Sequence, residues 1–316
     1  MQRIQWSPFT LRAATVARMQ HGVSLVRSLG LAITLLAMAT VAQAIPFYYV
    51  GIDSLQTNAT GLVGYPIDGT YSGLANPNYN RLTFLVADLP SVANAHFHGV
   101  GAYSYTGSAS SPTVNDTYIF QGLELNRVPE QIFPTPVPAV SLVPGTGGNA
   151  GRFVSPQVND VKYQDLRFQS IQALSGAAAG TTENFLFNST SGRWNQQLTG
   201  AQVGLQLVSI TDGLHIIDQA GNAILQNAGD VHPLGPGNNF SFTPTFWTED
   251  TAAVGTYTAE LRFIDQTGTF GNSGRFFMDF QVAPVPLPAA VWLFGSGLTA
   301  MVGFARRKGM CTVVDV

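Results

Sequence analysis

Histidine is the residue type whose number and spacing first point to chemistry in this sequence. There are five histidines in 316 residues, and His96 and His98 flank Phe97 in a segment that alternates apolar and polar residues like a β-strand. Side chains two residues apart on a strand share one face, about 6.6 Å apart along the chain. The spacing predicts that both imidazoles can bind one metal ion while Phe97 points into the core. The alternative is that both are surface or hydrogen-bonded residues at a strand end.

A carboxylate and an imidazole repeat this spacing at Asp230 and His232. Three histidines, or two histidines and one carboxylate, are common ligand sets for zinc. We therefore predict a zinc site formed by His96, His98 and His232, with Asp230 as a further ligand, provided that the two strands are neighbours in space. His215 lies in an apolar strand and is predicted to be a packed structural residue.

Catalytic signatures are missing from the sequence. It has no G-x-S-x-G elbow, phosphate-binding loop, dinucleotide fingerprint or H-E-x-x-H motif. The adjacent acids Glu249 and Asp250 would point to opposite faces of a strand, which indicates solvated turn residues. The sequence predicts a protein that is not an enzyme. A metal-dependent hydrolase is the enzymatic alternative, although no general base for it stands out.

The elements that must position these residues are β-strands. Period-two alternation predicts strands at 81–86, 96–105, 163–171, 201–210, 240–246, 256–264 and 275–282. In the sixth of these, Tyr257, Ala259, Leu261 and Phe263 are predicted to face a core. About ten to twelve short strands without a repeat favour an all-β fold, an antiparallel sandwich or jelly-roll-like domain over residues 45–284. The proline-rich segment 128–151 is predicted to be a long extended loop within it.

Composition agrees with a turn-rich β protein and excludes several functions. Hydrophobic residues make up 45% and charged residues 10% of the chain, with 33 Gly and 18 Pro. Residues 45–288 contain 17 acidic and 8 basic residues, which argues against binding to a nucleic-acid backbone. The single cysteine, Cys311, lies outside the β domain, so a disulfide or a cysteine zinc site is excluded there.

The N-terminal segment has the pattern of a secretory signal. Arg18 and Arg27 precede an apolar run at 29–41, and Ala42-Gln43-Ala44 follows it. A basic region, a short apolar region and an A-x-A site predict export and cleavage by signal peptidase after Ala44. Residues 1–44 are therefore predicted to be a signal peptide, for which Met1 and Met19 are alternative starts.

The C-terminal segment combines a proline motif, an apolar stretch at 289–305 and a basic cluster. Seventeen apolar or small residues are just enough to cross a bilayer, with the basic cluster in the cytoplasm. Residues 285–308 resemble a PEP-CTERM sorting signal in its Pro-Leu-Pro variant. The motif residues are Val285, Pro286, Leu287, Pro288, Arg306, Arg307 and Lys308. The tail at 309–316 departs from the family pattern, which puts processing in doubt.

This resemblance implies a partner and a route. An exosortase, a membrane protease-transpeptidase of Gram-negative bacteria, would recognise the signal. The protein would be anchored transiently in the inner membrane, then reach the outer surface or the extracellular matrix. Exosortase substrates often accompany exopolysaccharide, so the alternative function is a non-enzymatic matrix or carbohydrate-binding protein. Exposed aromatics such as Trp194 and Trp247 would serve it, unless both are core residues.

A second resemblance covers much of the β domain. The segments Asn78–Leu85, His96–Gly107, Leu186–Ser189, Gly192–Trp194 and Phe242–Thr248 resemble a PEP-CTERM family repressed by the zinc-uptake regulator. Repression by zinc implies a role when zinc is scarce, such as capture or storage outside the inner membrane. The resemblance therefore adds to the prediction of zinc at the His-x-His pair.

Overall fold

The computed structural model of the protein describes residues 45–58, 69–120, 123–131, 137–156, 161–284, 294 and 296–301. The predicted signal peptide (1–44), the proline motif 285–288, the basic cluster 306–308 and the tail 309–316 lie outside the described residues. Phe294 and residues 296–301 are helical. Within the described ranges, no helix has both the length and the apolar character needed to cross a membrane.

The described chain is built mainly from short β-strands, as the alternation predicts. Numbered in chain order, they are β1 (Tyr48–Ile52), β2 (Leu82–Asp88), β3 (His96–Gly99), β4 (Ser104–Ser108), β5 (Ser111–Asn115), β6 (Ile119–Phe120), β7 (Leu123–Glu124), β8 (Arg127–Val128), β9 (Val140–Ser141), β10 (Val143–Pro144), β11 (Arg152–Val154), β12 (Phe168–Ser170), β13 (Gln202–Ile210), β14 (His215–Ile217), β15 (Ala223–Ile224), β16 (Val231–Pro236), β17 (Ser241–Phe242), β18 (Thr245–Glu249), β19 (Gly255–Asp265) and β20 (Phe276–Val282). Between residues 45 and 284, the described chain also has two short α-helices, α1 (Thr182–Phe187) and α2 (Ser189–Gly192), and three 3₁₀ turns (Val92–Asn94, Gly147–Asn149 and Ile171–Leu174).

Three larger sheets and two small hairpins organise these strands. The first sheet has the order β17-β12-β1-β2-β3, and the second has the order β10-β11-β18-β14-β15. The third has the order β16-β13-β19-β20-β8, with β9 also paired to β20. Most pairs are antiparallel, while β1·β12, β8·β20 and β9·β20 are parallel. The protein is therefore all-β.

Phenylalanine rings join the sheets into one core. The ring centroid of Phe84 in the first sheet lies 4.4 Å from that of Phe276 and 5.7 Å from that of Phe263, both in the third sheet. Phe246 of the second sheet stacks on Phe280 of the third at 4.4 Å. All five are fully buried, and burial of a side chain of this size contributes about 1.5–3 kcal/mol to stability.

The alternation predicts the long strands well and the irregular ones poorly. β13, β19 and β20 match their predicted spans, and the inward face of β19 is buried as expected. The predicted strand 96–105 instead ends at Gly99, because the N–H groups of Val100 and Gly101 both turn to the Phe84 carbonyl. A Cβ on Gly101 would lie 2.9 Å from the Phe84 Cβ, so only glycine allows this approach.

Candidate metal centre

The β2–β3 pair places three potential ligands at the edge of the first sheet. The strands are antiparallel, with Asp88 opposite His96 and Val86 opposite His98. Phe97 is 1% exposed and packs edge-on against Tyr49, with the ring centroids 5.2 Å apart. The prediction that Phe97 points inward is confirmed, and the strand alternation turns His96 and His98 to the opposite, partly exposed face.

The three side chains converge. The Nε2 atoms of His96 and His98 lie 3.0 Å apart, and Oδ2 of Asp88 lies 4.0 Å from Nε2 of His96. One ligand atom from each residue falls within 4.8 Å of the other two. Their side chains are about one third exposed, at 31%, 36% and 30% for Asp88, His96 and His98. An ion here would be reached by solvent.

Hydrogen bonds at the far side of each ring decide which nitrogen can bind a metal. Nδ1 of His96 lies 2.8 Å from the Asn94 carbonyl, and Nδ1 of His98 bonds the Glu130 carboxylate. A carbonyl and a carboxylate only accept, so each Nδ1 must donate. In the neutral rings each Nε2 is then an acceptor, and two lone pairs face each other at 3.0 Å. This contact is repulsive unless a proton or a metal cation lies between them.

A second layer of groups supports the histidines. The Glu130 side chain is 13% exposed, and it accepts hydrogen bonds from His98 and from the Tyr163 hydroxyl at 3.1 Å. Lys162 donates to Oδ1 of Asp88 at 2.7 Å and lies 3.4 Å from Oε2 of Glu130. Carboxylate–histidine pairs of this kind orient metal-binding imidazoles and increase their basicity.

The pKa values follow from these contacts. The hydrogen bond from Nδ1 to Glu130 raises the pKa of His98 despite partial burial. Burial alone would raise the pKa of Glu130, but the hydrogen bond and charge of His98 and the charge of Lys162 bring it below its ordinary value. Burial also opposes ionisation of Asp88, and Lys162 outweighs it, so the pKa of Asp88 is lowered. Both carboxylates are therefore ionised at neutral pH.

The structure does not bring the second predicted pair to this site. His232 packs against Phe242 of β17 with the rings tilted and their centroids 4.7 Å apart, and β17 is the edge of the first sheet opposite β3. Four strand spacings, about 19 Å, separate those edges. Oδ2 of Asp230 accepts the backbone N–H groups of Gln226 and Asn227 within its own turn. His232 and Asp230 are thus removed from the candidate ligand set, and Asp88 replaces them.

The structure corrects the expectation for His215 and decides between the two alternatives for Trp194. His215 is exposed rather than packed, and it stacks on Trp247 at 4.5 Å on the outer face of the second sheet. Trp194 is 2% exposed and belongs to the core, so it is not a surface for carbohydrate. Trp247 is half-buried, and the Arg152 guanidinium lies 3.7 Å from its ring centroid.

Sequence reasoning missed Asp88, Glu130 and Lys162. Asp88 could have been found, because two strands joined by a short loop at 89–95 are expected to pair antiparallel, which puts the end of β2 beside the start of β3. Glu130 and Lys162 lie in irregular segments, where no periodic signal points to a neighbour. Comparisons of the chain with family models, curated proteins and solved structures returned no match.

Proposed function

We propose that the protein binds a divalent transition metal, zinc, through His96, His98 and Asp88. One observation supports this most strongly: two imidazole acceptors, each fixed by a hydrogen bond at its far nitrogen, point at each other beside a carboxylate oxygen. Zinc bound about 2.0–2.1 Å from each nitrogen in tetrahedral geometry would separate them by about 3.3 Å. The observed 3.0 Å requires a shift of only a few tenths of an ångström.

Charge and ligand type favour such an ion. The site contains the carboxylates of Asp88 and Glu130, the ammonium of Lys162 and two neutral imidazoles. Its net charge is therefore about −1, which attracts a cation. Two nitrogens and one carboxylate oxygen suit zinc better than calcium or magnesium, which prefer oxygen ligands alone. Three protein ligands leave one tetrahedral position for water, so the ion would be exchangeable. That property suits capture or storage of zinc.

Metal content of untagged protein tests this proposal. After dialysis against micromolar zinc, the wild type should retain one zinc per chain by elemental mass spectrometry. His98→Ala should retain none, while the matched controls His215→Ala and His232→Ala should retain one. Phe97 and not His98 packs inward, so metal-free His98→Ala should still unfold cooperatively, with only the loss of about 1–3 kcal/mol expected when Glu130 loses this hydrogen bond. A wild-type protein without zinc, or equal loss in all three variants, would contradict the proposal.

We also propose that the β domain is exported and sorted. Support comes from the pattern of residues 1–44 and from the resemblance of residues 285–308 to a PEP-CTERM signal, which implies signal peptidase and an exosortase as processing partners. The domain architecture we propose is an antiparallel sandwich related to jelly rolls, supported by the phenylalanine contacts between the first and third sheets. The metal site would then lie outside the inner membrane.

Mass spectrometry of the mature termini tests sorting. In cells that contain the cognate exosortase, the N-terminus should be Ile45 and the C-terminus should fall within 286–288. A basic cluster Arg306-Arg307-Lys308 still present on most surface-extracted protein would contradict sorting. Processing that appears only after deletion of residues 309–316 would assign the defect to the tail.

A further inference from the structure

A second site candidate lies on the second sheet, away from the β2–β3 edge. A cleft of about 900 Å³ opens between the turn that joins β10 to β11 and the turn that joins β14 to β15. Its floor is the outward face of the sheet, with Arg152 and Val154 from β11, Ile217 from β14 and Thr245 from β18. This volume is at the upper end of ordinary ligand sites, which run from about 300 to 1,000 Å³.

The lining of the cleft mixes polar side chains with aliphatic ones such as Val143, Val154 and Ile217, and no aromatic residue lines it. Hydroxyls of Thr146, Thr243 and Thr245 and amides of Asn149 and Gln219 line it. Within the described part of the chain, neither side-chain amide makes an intramolecular hydrogen bond. Small-molecule sites are usually apolar with few polar groups. A ligand that fills this cleft must therefore offer several hydrogen-bond donors and acceptors together with small apolar patches, such as the C–H faces of a sugar ring.

Two charged side chains in the cleft balance one another. Arg152 has no carboxylate within 4 Å among the described residues, and its guanidinium lies over the Trp247 ring, 3.7 Å from the ring centroid. Asp218 is the acid of the opposite turn, where its carboxylate accepts N–H groups from Ala220 and Asn222. The cleft is thus close to neutral, while residues 45–288 carry 17 acids against 8 bases. An anionic ligand would be repelled by the domain, and a cation would meet Arg152.

Glycines shape the upper rim of the cleft. A Cβ at Gly145 would overlap the backbone carbonyl of Asn149, so the tight turn requires glycine there. Gly148 differs, because nothing lies within 4 Å of the position that its Cβ would take, and its backbone is not in the left-handed region. Gly148 lines the cleft, so a bulky side chain added there would stand at the rim of the cleft without straining the turn.

We infer that this cleft binds a neutral oligosaccharide. Sugars present adjacent hydroxyls, each of which can both donate and accept a hydrogen bond. The cleft offers matching partners: the guanidinium N–H donors of Arg152, the side-chain amides of Asn149 and Gln219, and the threonine hydroxyls. Trp247 orders the Arg152 guanidinium, so less side-chain entropy is lost when its N–H groups bind hydroxyl oxygens. Binding rests on hydrogen bonds, so it should persist when the metal ligand His98 is replaced by alanine.

Ligand-observed saturation-transfer NMR on the full chain tests this with neutral tetrasaccharides of β-glucan, α-glucan and mannan, and with trigalacturonate as the acidic probe. At least one neutral probe should bind. Gly148→Phe should weaken that binding by at least about tenfold by filling the cleft. The matched control Gly255→Phe should leave it unchanged, because Gly255 also has open space and an unstrained backbone but lies in the third sheet.

The floor is tested separately. Arg152→Gln should weaken binding about five- to tenfold, since it removes charge-assisted hydrogen bonds, while Arg262→Gln in the third sheet should not. Thermal unfolding of each variant reports whether it folds. The inference is overturned if no neutral probe binds, if only trigalacturonate binds, or if Gly148→Phe and Gly255→Phe have equal effects.

Discussion

Residues 96–98 and 230–232 share one spacing, two potential ligands separated by one apolar residue at the start of a strand, yet they acquire different chemistry; His96 begins β3, whereas Asp230 precedes β16. At 96–98 the neighbouring strand adds Asp88, and an irregular segment adds Glu130 behind His98. At 230–232 the carboxylate caps its own turn, and the His232 ring lies against Phe242. Burial lowers the pKa of His232, whereas the Glu130 contact raises the pKa of His98.

The difference teaches that i, i+2 spacing is necessary for a paired site on a strand but does not create one. The carboxylate must also be held where one of its oxygens faces the imidazoles. Two backbone N–H groups hold Oδ2 of Asp230 within its own turn, away from any histidine ring, while Oδ2 of Asp88 faces the His96 ring. The far nitrogen of each imidazole must also be held by an acceptor, as Asn94 and Glu130 do at β3.

Replacing the two aspartates tests this comparison directly and gives the largest expected effect. Asp88→Asn should weaken zinc binding by about 100-fold, because an anionic ligand becomes a neutral one of similar shape. Asp230→Asn should leave zinc affinity unchanged and should cost about 0.5–1.5 kcal/mol of unfolding free energy through its turn. Competition with a chromogenic chelator measures affinity, and urea unfolding measures stability. Equal affinities for the two variants would show that Asp88 is not a ligand.

Glu130 tests the second layer of the site. Glu130→Gln keeps the shape and an oxygen that can accept from Nδ1 of His98, but it removes the charge. Zinc affinity should fall about 10- to 100-fold, the usual effect of losing an outer-shell carboxylate. Glu124→Gln is the matched control, since Glu124 accepts from Thr117 and Asn126 and has no contact with the histidines. An unchanged affinity in Glu130→Gln would mean that packing alone orients His98.

The sequence predicts those site residues whose positions depend on local alternation, and it misses those whose positions depend on distant contacts. His96, His98 and the inward Phe97 follow from alternation, which is local. Asp88 requires a pairing register, and the register is set by the 89–95 loop and by the bend at Gly101, features that carry only weak local signals. Glu130 and Lys162 reach the site from irregular segments through contacts 32 and 74 residues apart in sequence. His215 was mispredicted because the adjacent Leu214 and Ile216 face inward while it faces out.

The same reasoning predicts a pH dependence. Zinc requires Nε2 of His98 without a proton, and the pKa of His98 is raised by Glu130. Affinity should be complete above that raised pKa and should fall as pH drops through it, by about tenfold per pH unit for each proton displaced. The fall should begin above the ordinary histidine value of about 6.5. In Glu130→Gln the fall in affinity should begin at lower pH. Calorimetric zinc titrations of both proteins at several pH values measure this. If affinity falls over the same pH range in both, the Glu130 contact does not set the pKa of His98.

Lys162 gives the smallest expected effect and the opposite sign. Its ammonium donates to Oδ1 of Asp88 and lies 3.4 Å from Oε2 of Glu130. It therefore neutralises part of the negative charge that would attract a metal ion. At a partly exposed position, removing one unit charge several ångströms away is worth about 1 kcal/mol or less. Lys162→Gln should therefore tighten zinc binding about three- to fivefold, and Lys162→Arg should leave it near wild type. The chelator competition used for Asp88 resolves such a change. Weaker binding in Lys162→Gln would mean instead that the ammonium positions Asp88 for the ion, and that geometry outweighs repulsion at this edge of the sheet.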